Sequence, residues 1–205
     1  MWALIEDGSI TKLINNPKGM VIGDTQYSRN IFSFRWTNAE REAIGLYEVV
    51  FNNTKKKDEE YYTNTNQTFT YDADAGTVTA TYGDATAKAH ADTLFTSDDE
   101  DNGLGTEGEV KVKGLKTVKI ETLKKNAANE LARTDWYIVR KADADTAVPS
   151  AITNHRAAVR TKCAQMETAI TNASNTAAIE TLYTYTEQED GSVTRPLGEL
   201  PTLEV

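Results

Sequence analysis

Residues 109–132 read EVKVKGLKTVKIETLKKNAANELA. Two periods meet inside this stretch. Val110 and Val112 alternate with Lys111 and Lys113, the period of an extended strand. From Leu115 onward the apolar positions Ile120, Leu123, Ala127 and Leu131 recur at steps of three and four, which predicts a helix over 115–132. Upstream the chain is dominated by period two and by turn residues, downstream by helical spacing. The expected fold class is therefore α+β: a β-hairpin-rich N-terminal half followed by a helical C-terminal half with a long amphipathic helix. The expected organisation is a β-rich module over 1–96, an acidic Gly-rich linker over 97–109, a helical module over 110–183, and a β-turn with an extended tail over 184–205.

In the first half, Trp2, Leu4 and Ile5 run into Asp7-Gly8, and Ile10, Leu13 and Ile14 follow. Asp-Gly between apolar runs marks a two-residue hairpin turn, because both central positions need positive φ. A loop follows at 15–19, then a short strand over 20–22 and an extended aromatic segment through Ile31, Phe32, Phe34 and Trp36. Thr37-Asn38-Ala39-Glu40 matches a capping box, which predicts a helix over 38–44 stopped by Gly45. Residues 46–51 read as a strand, and 55–60 form a mixed charge run. Phe69 and Tyr71, then Asp72 to Gly76, then Val78, Ala80 and Tyr82 predict a second hairpin. The Ala-rich stretch 84–95 is expected to be helical.

In the second half, Trp136 to Val139 reads as extended. Pro149 starts a long helix whose stripe Ile152, Val159, Cys163, Met166 and Ile170 is spaced 7, 4, 3 and 4. A stripe of under three heptads is short for packing between chains, so an intrachain pair with 115–132 is its expected use, with a homo-oligomer as the other outcome. Asn175 or Thr176 caps a shorter helix carrying Ile179, Leu182 and Tyr183. Asp190-Gly191 predicts a last turn.

The 22 Lys+Arg against 31 Asp+Glu leave a net charge of −9. That excludes a general nucleic-acid binder, which needs clustered positive charge to displace phosphate counterions, and a binder of anionic lipid surfaces. The single Cys163 closes no intrachain disulfide and offers no zinc cluster. No apolar run approaches the roughly 20 residues that span a bilayer. Glu6 and Asp7 interrupt the first apolar residues, so no secretory leader is expected. Without one, the sequons at Asn52, Asn66 and Asn172 read as chance matches in a Thr-rich chain.

Candidate chemistry is sparse. Gly103 to Gly108 fits GxGxxG literally. However, Asp98 to Asp101 precede it where an apolar strand belongs, and no helix start follows. Asp98, Glu100, Asn102 and Glu109 occupy positions 1, 3, 5 and 12 of a calcium-type loop, with Gly103 at position 6. An acidic solvated loop is the preferred reading. His90 and His155 lack a readable nucleophile and orienting acid beside them, and Cys163 belongs to an apolar stripe. No catalytic residue and no cofactor is expected.

The most specific constellation joins Thr134, Asp135, Trp136, Tyr137 and Arg140 to Pro149, Arg156 and Arg160. The two arginines lie four apart on one helix face. An Arg fork can pair with Asp135 and stack on Trp136, locking the extended segment onto the helix. This stretch resembles a C-terminal region of tailed-bacteriophage tail proteins, found in tail-fibre assembly proteins and related tail-associated domains. There, a T-D-W-Y-x-x-R segment precedes a variable turn, a Pro-initiated helix and two arginines four apart. Thr134, Asp135, Trp136, Tyr137, Arg140, Pro149, Arg156 and Arg160 match that pattern, over about 30 residues. The N-terminal MWALIEDGSITKL hairpin and the IGLYEVV strand also look like the short β modules of such proteins.

The resemblance implies a non-enzymatic virion protein, a structural component or adaptor of the tail fibre or baseplate, assembled in the host bacterial cytoplasm. Its partners would be other tail subunits, not nucleic acid or membrane. A tail-fibre assembly chaperone is the alternative it carries, and a calcium-binding interaction module is the remote one.

Overall fold

The computed structural model describes residues 1–203 and divides into two compact units, Met1–Thr86 and the chain from Ala87 onward. The architecture is α+β, with a sheet-rich N-terminal half and helices in the C-terminal half.

The first unit is built on a curled sheet. Strands β1 (Trp2–Glu6) and β2 (Ser9–Ile14) form the expected hairpin. Its turn residues Asp7 and Gly8 both have positive φ, 50° and 74°, as that tight turn demands. A small hairpin of β3 (Met20–Ile22) and β4 (Thr25–Tyr27) follows. Helix α1 (Asn38–Glu42) carries the full capping box: Glu40 N–H donates to the Thr37 hydroxyl, and Thr37 N–H donates to the Glu40 carboxylate. Strand β5 (Leu46–Asn52) pairs antiparallel with β1. The short β6 (Tyr62–Thr63) leads to the second hairpin, β7 (Gln67–Asp72) and β8 (Thr77–Tyr82).

The order in the sheet is β2-β1-β5-β8-β7, with β5 and β8 parallel. The edge strands β2 and β7 come together, so the sheet wraps its own core. Ala3 and Ile5 of β1, Val49 of β5, and Val78 and Ala80 of β8 form that core, with Ile10 of β2 and Phe69 and Tyr71 of β7 packed on it. The Tyr71 and Tyr47 hydroxyls share a hydrogen bond of 3.2 Å. That hydrogen bond, helped by burial, pushes Tyr47 up to about 12. On the opposite face Ile14, Ile31 and Leu46 are buried under Trp2, Met20, Tyr27, Phe32 and Trp36.

In the second unit, β9 (Thr86–Ala87) stands at the boundary, and β10 (Thr93–Leu94) pairs with β11 (Val110–Val112). Between them lies α2 (Ser97–Asp101). The helices follow: α3 (Leu115–Ala132), α4 (Asp135–Ala144), α5 (Ser150–Asn172) and α6 (Thr176–Tyr183). The hairpin β12 (Thr186–Glu187) and β13 (Val193–Thr194) precedes an extended tail. The α5 stripe is used within the chain: Met166 and Ile170 pack with Leu123 and Ile120 of α3. Asn175 caps α6, accepting from Ala178 N–H at 2.9 Å.

Several expectations are corrected. The aromatic segment at 31–36 is not extended: Arg29–Phe32 form a 3₁₀ turn capped by the Ser28 hydroxyl, and a turn in which Trp36 N–H donates to the Ser33 carbonyl follows. Helix α1 ends at Glu42, and Gly45, at φ +77°, takes the left-handed position beyond it. The stretch 84–95 is not helical. Its Ala89 and His90 carbonyls accept the N–H groups of Leu115 and Lys116 at the start of α3, so it is drawn out along that helix end. Part of the acidic linker is helical: Thr96 and Asp99 make a second capping box for α2, and Asp99 pairs with Lys111 at 2.6 Å. The range 97–109 lies inside the second unit.

Candidate docking site

Trp136 to Val139, expected to be extended, lie instead in helix α4. Trp, Tyr, Ile and Val in a row favour a strand by propensity, yet 136–139 pair with no strand among the described residues. Asp135 opens the first helical turn instead, where a negative charge is favoured by the helix dipole. The Thr134 hydroxyl donates to the Leu131 carbonyl at 2.9 Å, and Tyr137 N–H donates to the Thr134 carbonyl at 3.1 Å. This joins α4 to the end of α3.

Arg156 of α5 fixes that joint. Its Nη1 donates to the Leu131 carbonyl at 2.7 Å, to the Thr134 hydroxyl at 2.7 Å and to Asp135 at 2.8 Å. Arg156 and Thr134 are both buried. The expected pairing of an α5 arginine with Asp135 is therefore present, made by Arg156 through a single guanidinium nitrogen and extended to two further oxygens. The expected stacking of that arginine on Trp136 is corrected, because Arg140 of α4 itself takes that place. Arg140 lies 4.6 Å over Trp136 and 5.4 Å over Tyr137, whose rings stack at 3.9 Å and 34°. Because the segment is a helix, positions 136 and 140 share a face, which an extended reading hides. Arg160 is exposed and reaches only the Arg156 carbonyl, at 3.5 Å. Pro149 sits one residue before the first turn of α5, at φ −53°.

No residue of α4 is buried. Trp136 is 52% exposed, Ile138 44% and Val139 65%; at about 100° per residue Trp136 and Val139 lie toward one side of the helix and Ile138 on the far side from Trp136.

A second polar node went unread in the sequence. Buried His155 places Nε2 3.1 Å from Glu130 Oε1. Glu130 also accepts from Arg133 and from the backbone N–H of Leu203. The Arg133 guanidinium, with help from Leu203 N–H and His155, holds the Glu130 carboxyl below its usual value. Residues 25 and 73 positions apart share no periodicity, so pattern alone cannot bring them together.

The remaining candidates stay apart. Asp98 and Glu100 lie on α2, Asn102 Nδ2 donates to the Asp98 carbonyl, and Glu100 accepts from Glu107 N–H. Among the described residues no group of three or more His, Cys, Asp or Glu side chains is placed to hold a metal ion. The Gly103 to Gly108 run leads into β11 and not into a helix. His90 is half-buried, and Cys163 is half-buried on α5 with its thiol pushed up by burial. Among the described residues no helix is long and apolar enough to cross a membrane. Comparison with protein-family models, with curated proteins and with solved structures found no match for this chain.

Proposed function

We propose that this chain is a non-enzymatic protein of a tailed-phage tail, acting by docking α4 onto neighbouring fibre or baseplate subunits. The observation that carries the reading is the pairing of a pinned helix end with uncovered apolar side chains: Arg156 fixes Thr134 and Asp135, while Trp136 and Val139 on one side of α4 and Ile138 on the other are exposed. Exposed apolar surface around an aromatic and arginine pair is the composition of interface hot spots. The residues that build the joint, Thr134, Asp135 and Arg156, are three of the eight through which the sequence resembles tail-associated proteins. The proposed place of action is the virion tail, after assembly in the host cytoplasm.

An assembly chaperone is the second reading. A helix anchored at its first turn, with no fully buried residue, suits reversible capture of a fibre as well as permanent seating. The two roles separate in one experiment on a phage carrying this gene. Mass spectrometry of purified particles is expected to find the protein at fixed stoichiometry. Its absence from particles, together with a raised soluble yield of the co-expressed fibre, would establish the chaperone instead. Absence with no effect on fibre yield would overturn both.

A further inference from the structure

Asn102-Gly103 is the one place in this chain where glycine follows asparagine. In that dipeptide the glycine nitrogen can approach the asparagine side-chain amide carbon, because no Cβ crowds the path and the glycine backbone turns freely. Asn102 is exposed and closes α2 at φ −89° and ψ 3°. Gly103 follows at φ +70° in open space. In the folded chain both reacting groups are occupied. Gly103 N–H donates to the Glu100 carbonyl at 2.9 Å, and Asn102 Nδ2 donates to the Asp98 carbonyl at 2.6 Å. Leu104 N–H closes the turn on the Asp99 carbonyl at 2.9 Å.

The helix that supplies these carbonyls is slight. It has five residues, none of them buried. Its start is held by the Thr96–Asp99 capping box, and Asp99 by Lys111 at 2.6 Å. An exposed single-turn helix with so little packing opens at low cost while the rest of its unit stays folded. Opening frees the Gly103 nitrogen and the Asn102 side chain together.

We propose that Asn102 is a self-modification site, deamidated by attack of the Gly103 nitrogen and gated by the winding of α2. The Gly103 nitrogen gives its proton to solvent and bonds to Asn102 Cγ. The Cγ–Nδ2 bond breaks, and ammonia leaves with a proton taken from solvent. Water then opens one or the other carbonyl of the cyclic imide, leaving aspartate or isoaspartate at 102. Either product adds a negative charge at the C-terminal end of a helix that already carries Asp98, Asp99, Glu100 and Asp101, where the helix dipole disfavours it. The isoaspartyl product also lengthens the backbone by one methylene at the cap. The conversion therefore loosens the helix that held it back. This does not rest on the docking role of α4.

The test uses the full chain, held folded at neutral pH and sampled over weeks. Peptide mapping by mass spectrometry separates the asparagine, aspartate and isoaspartate forms at each asparagine. Asn102 is expected to convert ahead of every other asparagine, to both acids. Thr96→Ala removes the N-cap of α2 and leaves Asn102 and Gly103 untouched. It is expected to speed conversion in the folded chain about fivefold, since the open helix becomes that much more populated. In guanidinium chloride both proteins are expected to convert at one common rate, faster than either folded chain. Conversion of another asparagine first overturns the site. So does an intact Asn102 in the folded chain over a period in which the denatured chain converts fully. Equal rates in the folded and denatured wild type, or in folded wild type and Thr96→Ala, overturn the gate; the first comparison needs no variant.

Discussion

Arg156 directs one nitrogen at three oxygens, on Leu131, Thr134 and Asp135. Arg156→Ala leaves the buried Thr134 hydroxyl and the Leu131 carbonyl without this donor. A loss of about 2–4 kcal/mol in chemical denaturation is expected, against under about 0.5 kcal/mol for exposed Arg160→Ala. Equal effects would remove the distinction between the two arginines. Gly45 is a second sharp position: at φ +77° an added Cβ runs into the Ile5 carbonyl. Gly45→Ala is expected to cost at least about 1–2 kcal/mol, measured as a fall in the denaturation midpoint. At this scale the sequence pointed to Asp135 pairing with an arginine of the Pro-started helix, and the structure selects Arg156 over Arg160. It hid Arg140 over Trp136, because that contact exists only once 136–140 is helical.

Among the elements, the amphipathic stripe of α5 and the Thr37–Glu40 capping box were legible because they are a local periodicity and a local hydrogen-bond pattern; the Thr96–Asp99 box, inside the acidic run, was not. The parallel pairing of β5 with β8 was not, since alternation marks a strand without naming its neighbour. Helix α3 shows the same limit: its first turn is held by Asp92, which accepts from Gly114 N–H at 2.7 Å and from the Thr117 hydroxyl at 2.9 Å. Those bonds, Gly114 N–H foremost, lower the Asp92 carboxyl below its ordinary 3.8. A carboxyl lowered on folding stabilises the fold above its unfolded value, and that contribution is lost as pH falls through the folded one. Acid unfolding below about pH 4 is therefore expected to be shallower in Asp92→Asn, which is less stable than wild type at pH 7. An unchanged acid profile would count against this cap. Ile170, fully buried between α5 and α3, is expected to cost about 2–5 kcal/mol when cut to Ala.

For the molecule as a whole, the net charge of −9 is partly organised. Asp99 caps α2 and meets Lys111, and the Lys111 hydrogen bond holds its carboxyl below the ordinary range. The acidic run is thus tied into the second unit, where charge counting suggested a free linker. The α+β division was legible at the change of period near residue 114, and so was the constellation now found at the α3–α4–α5 joint. The exposure of α4 was not, because helical periodicity cannot say which face remains uncovered.

The central claim is that α4 docks this chain onto other tail subunits, and incorporation into particles tests it most directly. A phage carrying Ile138→Asp with Val139→Asp, two exposed positions outside the Arg156 joint, is compared with wild type by quantitative mass spectrometry of purified particles. The folded state of the isolated variant is checked by circular dichroism. The account expects wild-type protein in particles and at least a tenfold loss of the folded variant. Incorporation of the variant at the wild-type level would contradict it.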